Sequence, residues 1–147
     1  MSKKELPVPF KIVKVEENQF SVFEETLVVE ERIQQQIGFG FGADAENNII
    51  AVSMKFVLHK QNQPLLKLEI TCYFEIEQQV FQDKLVQADE IVLPCGFAKH
   101  LAMIAIGTAR GILFANTKNT DFNKYIIGLI NIDKVFNEDI IIASNNK

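Results

Sequence analysis

Residues 33–76 read IQQQIGFGFGADAENNIIAVSMKFVLHKQNQPLLKLEITCYFEI, and their alternation decides the fold. From Ile33 the odd positions carry Ile37, Phe39, Phe41 and Ala43, while the even ones carry Gln34, Gln36, Gly38, Gly40, Gly42 and Asp44. A period of two over that length is a strand signal. Asn47-Asn48 suits a tight turn, after which Ile50, Val52, Met54, Phe56 and Leu58 share one face opposite Ala51, Ser53, Lys55 and His59. Gln61 to Pro64 reads as a second turn, and Leu66, Leu68, Ile70, Cys72, Phe74 and Ile76 then oppose Lys67, Glu69, Thr71, Tyr73, Glu75 and Glu77. The expectation is an antiparallel meander of three long strands whose apolar face needs a cover.

Upstream, Phe10 to Val15 forms a weaker strand, with a turn expected at Glu17-Asn18 before Phe20, Val22 and Phe23; sequence does not assign its partner. Glu16, Glu17, Glu24, Glu25, Glu30 and Glu31 make an acidic stretch, solvated by default or a dock for a basic partner. Gly38, Gly40 and Gly42 strip the side chains from one strand face, so a bulge or sharply twisted ribbon, or a close-lying segment, subunit or ligand backbone, is expected there.

Downstream the period changes. Pro94 and Gly96 open a helix to Ala115 on which Phe97, Leu101, Ile104, Thr108, Gly111 and Ala115 fall on one side and Ala98, Ala102, Ala105, Ala109 and Ile112 on its neighbour. It is apolar most of the way round, more than one sheet face can cover, which predicts self-association. A membrane span is set aside because only Leu101 to Ala109 runs between His100 and Arg110, where about twenty apolar residues are needed. Gly107 and Gly111 allow close packing of a helix or the sheet. Asn116 to Lys124 is a polar connection, Tyr125 to Ile132 an extended crossing or buried loop, Asp133 a cap for a short helix through Phe136, and Asn145 to Lys147 a frayed end.

The chain has 147 residues and carries 15 basic against 19 acidic side chains, a formal charge of −4, with 48% hydrophobic residues. That is one domain, 1–147, with an ordered core from about 10 to 142. Two arginines, Arg32 and Arg110, and no basic tract leave little to grip phosphates, so neither nucleic acid nor an anionic membrane is an expected partner. Lys3 and Lys4 precede no apolar run, and a cytoplasmic location is the default expectation. Cys72 and Cys95 make no metal or disulfide pattern and read as reduced structural thiols.

Catalysis finds no foothold. His59 and His100 have no His or Cys partner at helical spacing, Cys95 and His100 fall on different sides of a helix, and no HExxH, CxxC, GxSxG or dinucleotide fingerprint occurs. The expectation is a non-enzyme without cofactor or metal. The better clue is aromatic: twelve Phe stand against two Tyr and no Trp, so most aromatic area lacks a polar handle. Either these rings fill a core, or some line a groove for apolar segments of another chain; Phe20, Phe23, Phe39 and Phe41 are the choice for such contacts.

The strand near Phe10, the three strands ending in Leu66 to Ile76, the helix from Pro94 to Ala115, Thr108-Ala109-Arg110-Gly111-Ile112-Leu113 and Leu129-Ile130-Asn131-Ile132 together resemble SecB-type export chaperones in a divergent, SecB-like form, over most of residues 10–140. The resemblance implies an α+β fold, a four-stranded antiparallel sheet with one long and one short helix, assembled as a dimer of dimers. It implies ATP-independent holding of unfolded or precursor polypeptides and delivery to the motor SecA. It points to Arg110, Gly111 and Asn131 as structural or interfacial, with Gly107 alongside, and matches Glu69, Glu75 and Glu77 to the family's acidic docking surface. The SecB-like group also includes chaperones dedicated to antitoxins. A small apolar-ligand module remains the rival reading.

Overall fold

In the computed structural model, which describes residues 8–24 and 32–143, the sheet grows outward from its two most apolar strands. Strands β3 (Ile49–Lys60) and β4 (Gln63–Ile76) are central, β2 (Gln34–Asp44) flanks β3, and β1 (Phe10–Val22) flanks β4, giving the order β1-β4-β3-β2 with every pair antiparallel. Consecutive positive φ at Gln61 (53°) and Asn62 (67°) make the β3–β4 link a tight two-residue hairpin loop. Gln63 and Pro64 therefore belong to β4 and not to the turn. Asn48, at φ 59°, closes the β2–β3 turn. Expectations at Lys3, Lys4, Glu25, Glu30, Glu31 and Asn145 to Lys147 lie outside the described residues.

Register sorts the side chains as the alternation requires. Ile50, Val52, Met54, Phe56 and Leu58 of β3 and Leu66, Leu68, Ile70, Cys72, Phe74 and Ile76 of β4 are all buried on the inner face. Full burial of a large apolar side chain contributes about 1.5–3 kcal/mol, so these two strands dominate the stability of the sheet. Burial also pushes the Cys72 thiol pKa up, a hydrogen bond with Thr108 only partly offsetting it. Both cysteines are free.

The predicted break at Glu17-Asn18 is a bulge within one continuous strand. β1 pairs with β4 along its length, with register shifts between Ile12 and Lys14 and between Glu17 and Gln19. The second bulge turns the Asn18 side chain toward the sheet: Thr71 Oγ1 donates to Asn18 Oδ1 at 2.7 Å, and Ser53 Oγ, 2.9 Å from Thr71 Oγ1, supplies its own proton to that hydroxyl. Tyr73 Oη donates to Glu16 Oε1 at 2.7 Å nearby.

The glycine stretch forms no bulge, and no described segment of the chain packs against it. The β2–β3 register runs without a shift from Gln34↔His59 to Asp44↔Ile49, and no described glycine has a positive φ, so there is no bulge. A Cβ added at Gly38 or Gly42 would meet nothing within 4 Å, and at Gly40 only Ser53 Cβ at 3.9 Å. The three glycines leave an open trough on the outer face.

After β4 come elements too short for periodicity to reveal: a helical turn α1 (Gln78–Val80), a π-type turn Phe81–Leu85, and β5 (Val86–Gln87) and β6 (Glu90–Leu93), which form a second, three-stranded sheet with β7 (Ile140–Ala143) in the order β5-β6-β7. The long helix α2 (Cys95–Thr117) covers the inner face of the main sheet with Ala98, Leu101, Ala102, Ala105, Ala109 and Leu113, alanines letting it approach closely. At 23 residues α2 is long and apolar enough to cross a membrane by length and composition, so the length argument against a span does not hold. Its place in the fold is fixed by packing instead. Pro94 offers α2 no side-chain cap; Asp139 Oδ1 accepts from Cys95 N at 2.8 Å across 44 residues. Helix α3 (Ile132–Val135) is capped by Asn131, whose side chain accepts from Lys134 N, and not by Asp133. Asp133 pairs with Lys99 at 2.7 Å, and that bond raises the Lys99 pKa.

Candidate functional site

One side of α2 is left uncovered. His100, Met103, Gly107, Gly111 and Phe114 recur at spacings of three and four and are all exposed, Met103 at 57% and Phe114 at 59%. Among the described residues nothing lies within 4 Å of a Cβ added at Gly107 or Gly111, so neither glycine serves the expected close packing against them.

Beside this stripe runs the segment 125–131, which has no regular secondary structure. Ile127 anchors it in the core, and Arg110 clamps it: Nε donates to Ile127 O at 2.9 Å and Nη2 to Gly128 O at 2.7 Å. With its backbone held there, Leu129 stands 97% exposed and Ile126 73% exposed. A hollow of about 210 Å³ opens between helix and segment, floored by Ile106 and Ile130 and rimmed by Met103, Leu129 and Ile132. Arg110 and Asn131 are thus positioning residues, one fixing the crossing and the other starting α3.

A second cavity, of about 350 Å³, lies where the end of β1 meets the end of α2. Phe20, Val22 and Phe122 supply its apolar lining, and Asn116, Thr117 and Thr120 its polar one, with Glu24 and Asp121 as charged members. Among the four phenylalanines singled out by sequence, Phe20 lines this cavity. Phe23 is half-buried, its amide donating to Leu65 O at 3.0 Å. Phe39 and Phe41 lie elsewhere, on the inner sheet face beneath Phe136, with ring centroids 5.2 and 5.6 Å from it.

The three acidic residues are not gathered into one patch. Glu69 sits between Lys55 and Gln19 in the cross-strand register. Glu75 pairs with Lys11 at 3.7 Å, and Glu77 caps α1 by accepting from Val80 N at 3.2 Å. Glu75 and Glu77 do share an open hollow of about 440 Å³ with Phe10 and Lys11. Among the described residues no group of three or more His, Cys, Asp or Glu is placed to hold a metal ion.

Sequence reasoning missed Met103, Phe114, Asn116, Ile126 and Leu129. The stripe on α2 was legible as the helical face opposite the alanines. Leu129 carried no signal, because an isoleucine-rich irregular segment does not declare which members face out.

The chain matches no protein-family model and no curated protein. Among solved structures it is similar to the SecB-like chaperone Rv1957 of Mycobacterium tuberculosis, solved in complex with a ChAD peptide from the antitoxin HigA1. The two share 12% identity over 82% of this chain and 90% of that one, with a TM-score of 0.51. A protein of unknown function from Streptococcus agalactiae aligns at 9% identity over 85% of this chain and 99% of that one, with a TM-score of 0.41. At such identity the likeness to the chaperone is one of fold: a four-stranded antiparallel sheet of meander type against a long helix, as expected of a SecB-like chain.

Proposed function

We propose that this chain is a SecB-like, ATP-independent holdase that captures apolar segments of non-native polypeptides and acts in the cytoplasm. The observation that carries the reading is the exposed apolar border of the α2 crossing, Met103 on the helix with Ile126 and Leu129 on the segment that Arg110 clamps. Burying roughly 500 Å² of client apolar surface contributes on the order of 12 kcal/mol before ordering costs, which take back much of it. No nucleotide chemistry is needed for release, since a folding client or a competing partner removes the surface that was bound.

Of the two pathways, an antitoxin or similar dedicated client has more support than export. The similar SecB-like chaperone holds an antitoxin peptide. Glu69, Glu75 and Glu77 are each offset or engaged locally, a poor match to a concentrated acidic dock for SecA. Gly107, Gly111 and Phe114 serve self-association through a second copy of α2, toward the dimer-of-dimers assembly.

The test is suppression of aggregation of a reduced, unfolded protein without nucleotide, comparing wild type with Met103→Ser/Leu129→Ser. Both positions are exposed, so the variant folds and is expected to lose most of the suppression. Equal suppression by the two forms overturns the assignment of this surface, and no suppression by wild type overturns the holdase reading itself.

A further inference from the structure

Among the described residues lining the hollow beside α2, Arg110 alone is charged, and the fold uses only part of it. A guanidinium carries five N–H donors on three nitrogens. Nε donates to Ile127 O and Nη2 to Gly128 O, both neutral carbonyls of the crossing segment. Nη1 has no partner among the described residues and is not one of the buried polar atoms lacking one, so it reaches solvent from a half-buried side chain.

No carboxylate answers this cation. The ion pairs among the described residues are Lys11–Glu75, Lys14–Glu16 and Lys99–Asp133. Asp133, next in sequence to Ile132 of the hollow, is held by Lys99 at 2.7 Å. The site therefore joins apolar walls, Met103, Ile106, Leu129, Ile130 and Ile132, to an arginine without a counter-charge. Its complement is an apolar side chain with a carboxylate close by, since the planar fork of arginine matches a carboxylate and the bond between two ions exceeds that between neutral groups. In an extended polypeptide successive side chains alternate in direction, so the residue sharing a face with the one in the hollow lies two positions away.

We infer that Arg110 sets the specificity of the client site: it selects extended segments in which Asp or Glu stands two positions from an apolar residue, the carboxylate accepting from the free end of the guanidinium while the apolar side chain fills the hollow. This rests on the holdase reading and adds a preference to it. The preference runs against the overall field, because a formal charge of −4 attracts basic segments. Local and global electrostatics thus predict opposite orders of affinity.

The experiment measures binding of three rhodamine-labelled, end-blocked peptides, each repeating Leu-Ser-X-Ser-Leu twice with X as Glu, Gln or Lys, to the full chain by anisotropy. The Glu peptide is expected to bind about three- to tenfold tighter than the Gln peptide, with the Lys peptide weakest. Arg110→Met is expected to bring the Glu-to-Gln ratio to about one, a change in selectivity that loosening of the crossing segment alone does not produce. Lys124→Gln/Lys134→Gln removes the cations of the flanking segments while sparing the clamp, and is expected to keep the ratio. Equal affinity for the Glu and Gln peptides, or tightest binding of the Lys peptide, overturns the specificity and leaves the holdase reading intact. A ratio that survives in Arg110→Met, or disappears in the double lysine variant, does the same. A wild-type chain that binds none of the three overturns both.

Discussion

Replacing Gly107 and Gly111 together by glutamine separates a solvent-facing helix stripe from a buried one, because the two cases predict opposite results. Among the described residues, nothing lies within 4 Å of a Cβ added at either position. Glutamine is the better helix former by roughly 0.5 kcal/mol per site, so the double variant gains about 1 kcal/mol if the stripe faces water. For a chain of this size that raises the thermal midpoint by about 3 °C. If the stripe lies against a second copy, two long polar side chains per helix keep the backbones apart and the assembly dissociates. Light scattering at micromolar concentration, with circular dichroism at the same concentration, reads both quantities. The expected result is a wild-type mass several times 16.7 kDa that falls in the variant, which remains helical. A wild type of single-chain mass, or a variant with wild-type mass and a raised midpoint, refutes the interface.

Arg110→Met keeps the aliphatic stem but removes both bonds to the crossing segment. With hydrogen bonds to a charged group at about 1.5–3 kcal/mol and one of the two exposed, the expected loss is about 3 kcal/mol by urea unfolding, with faster proteolysis between Ile126 and Ile130. A loss below about 1 kcal/mol on the same scale removes the clamp from the account. Tyr73→Phe acts on pH dependence: the Tyr73 hydroxyl, then Lys14, holds the Glu16 carboxyl pKa below its ordinary value. A depressed carboxylate pKa contributes stability above the unfolded-state value and loses it as pH falls through the folded-state value. The variant is therefore expected to raise the Glu16 pKa and flatten the acid limb of stability. Carboxyl NMR titration checks it, and an unmoved Glu16 contradicts the bond.

Strands β2 to β4 were legible because each keeps one parity for ten residues or more and one face is buried, which pins the register. Helix α2 was legible from its apolar recurrence and from Pro94. The continuity of β1 was hidden by its bulges, each of which shifts parity and mimics a turn. Strands β5 to β7, of two to four residues, are shorter than any period can establish. The α3 cap fell to Asn131 because Asp133 is drawn to Lys99, a contact between segments that no local rule reads. Phe20 was singled out from composition and lines the cavity at the end of β1, while Phe39 and Phe41 were recognised as apolar without their cover, since Phe136 comes from far downstream. Asn116 carried no signal in the sequence, because the unpartnered burial of its Nδ2 exists only once α2 and the turn after it have folded.

The capping of α2 by Asp139 has a temporal side. At roughly 5–20 residues per second on the ribosome, the 44 residues separating Cys95 from its cap take about two to nine seconds to appear. During that interval the sheet hairpins, whose contacts are local, can already receive the helix, but its leading amide has only water for a partner. The front of α2 is therefore completed only by the residue that leads into β7, so the helix that covers the sheet is closed off by the last part of the described chain to be made.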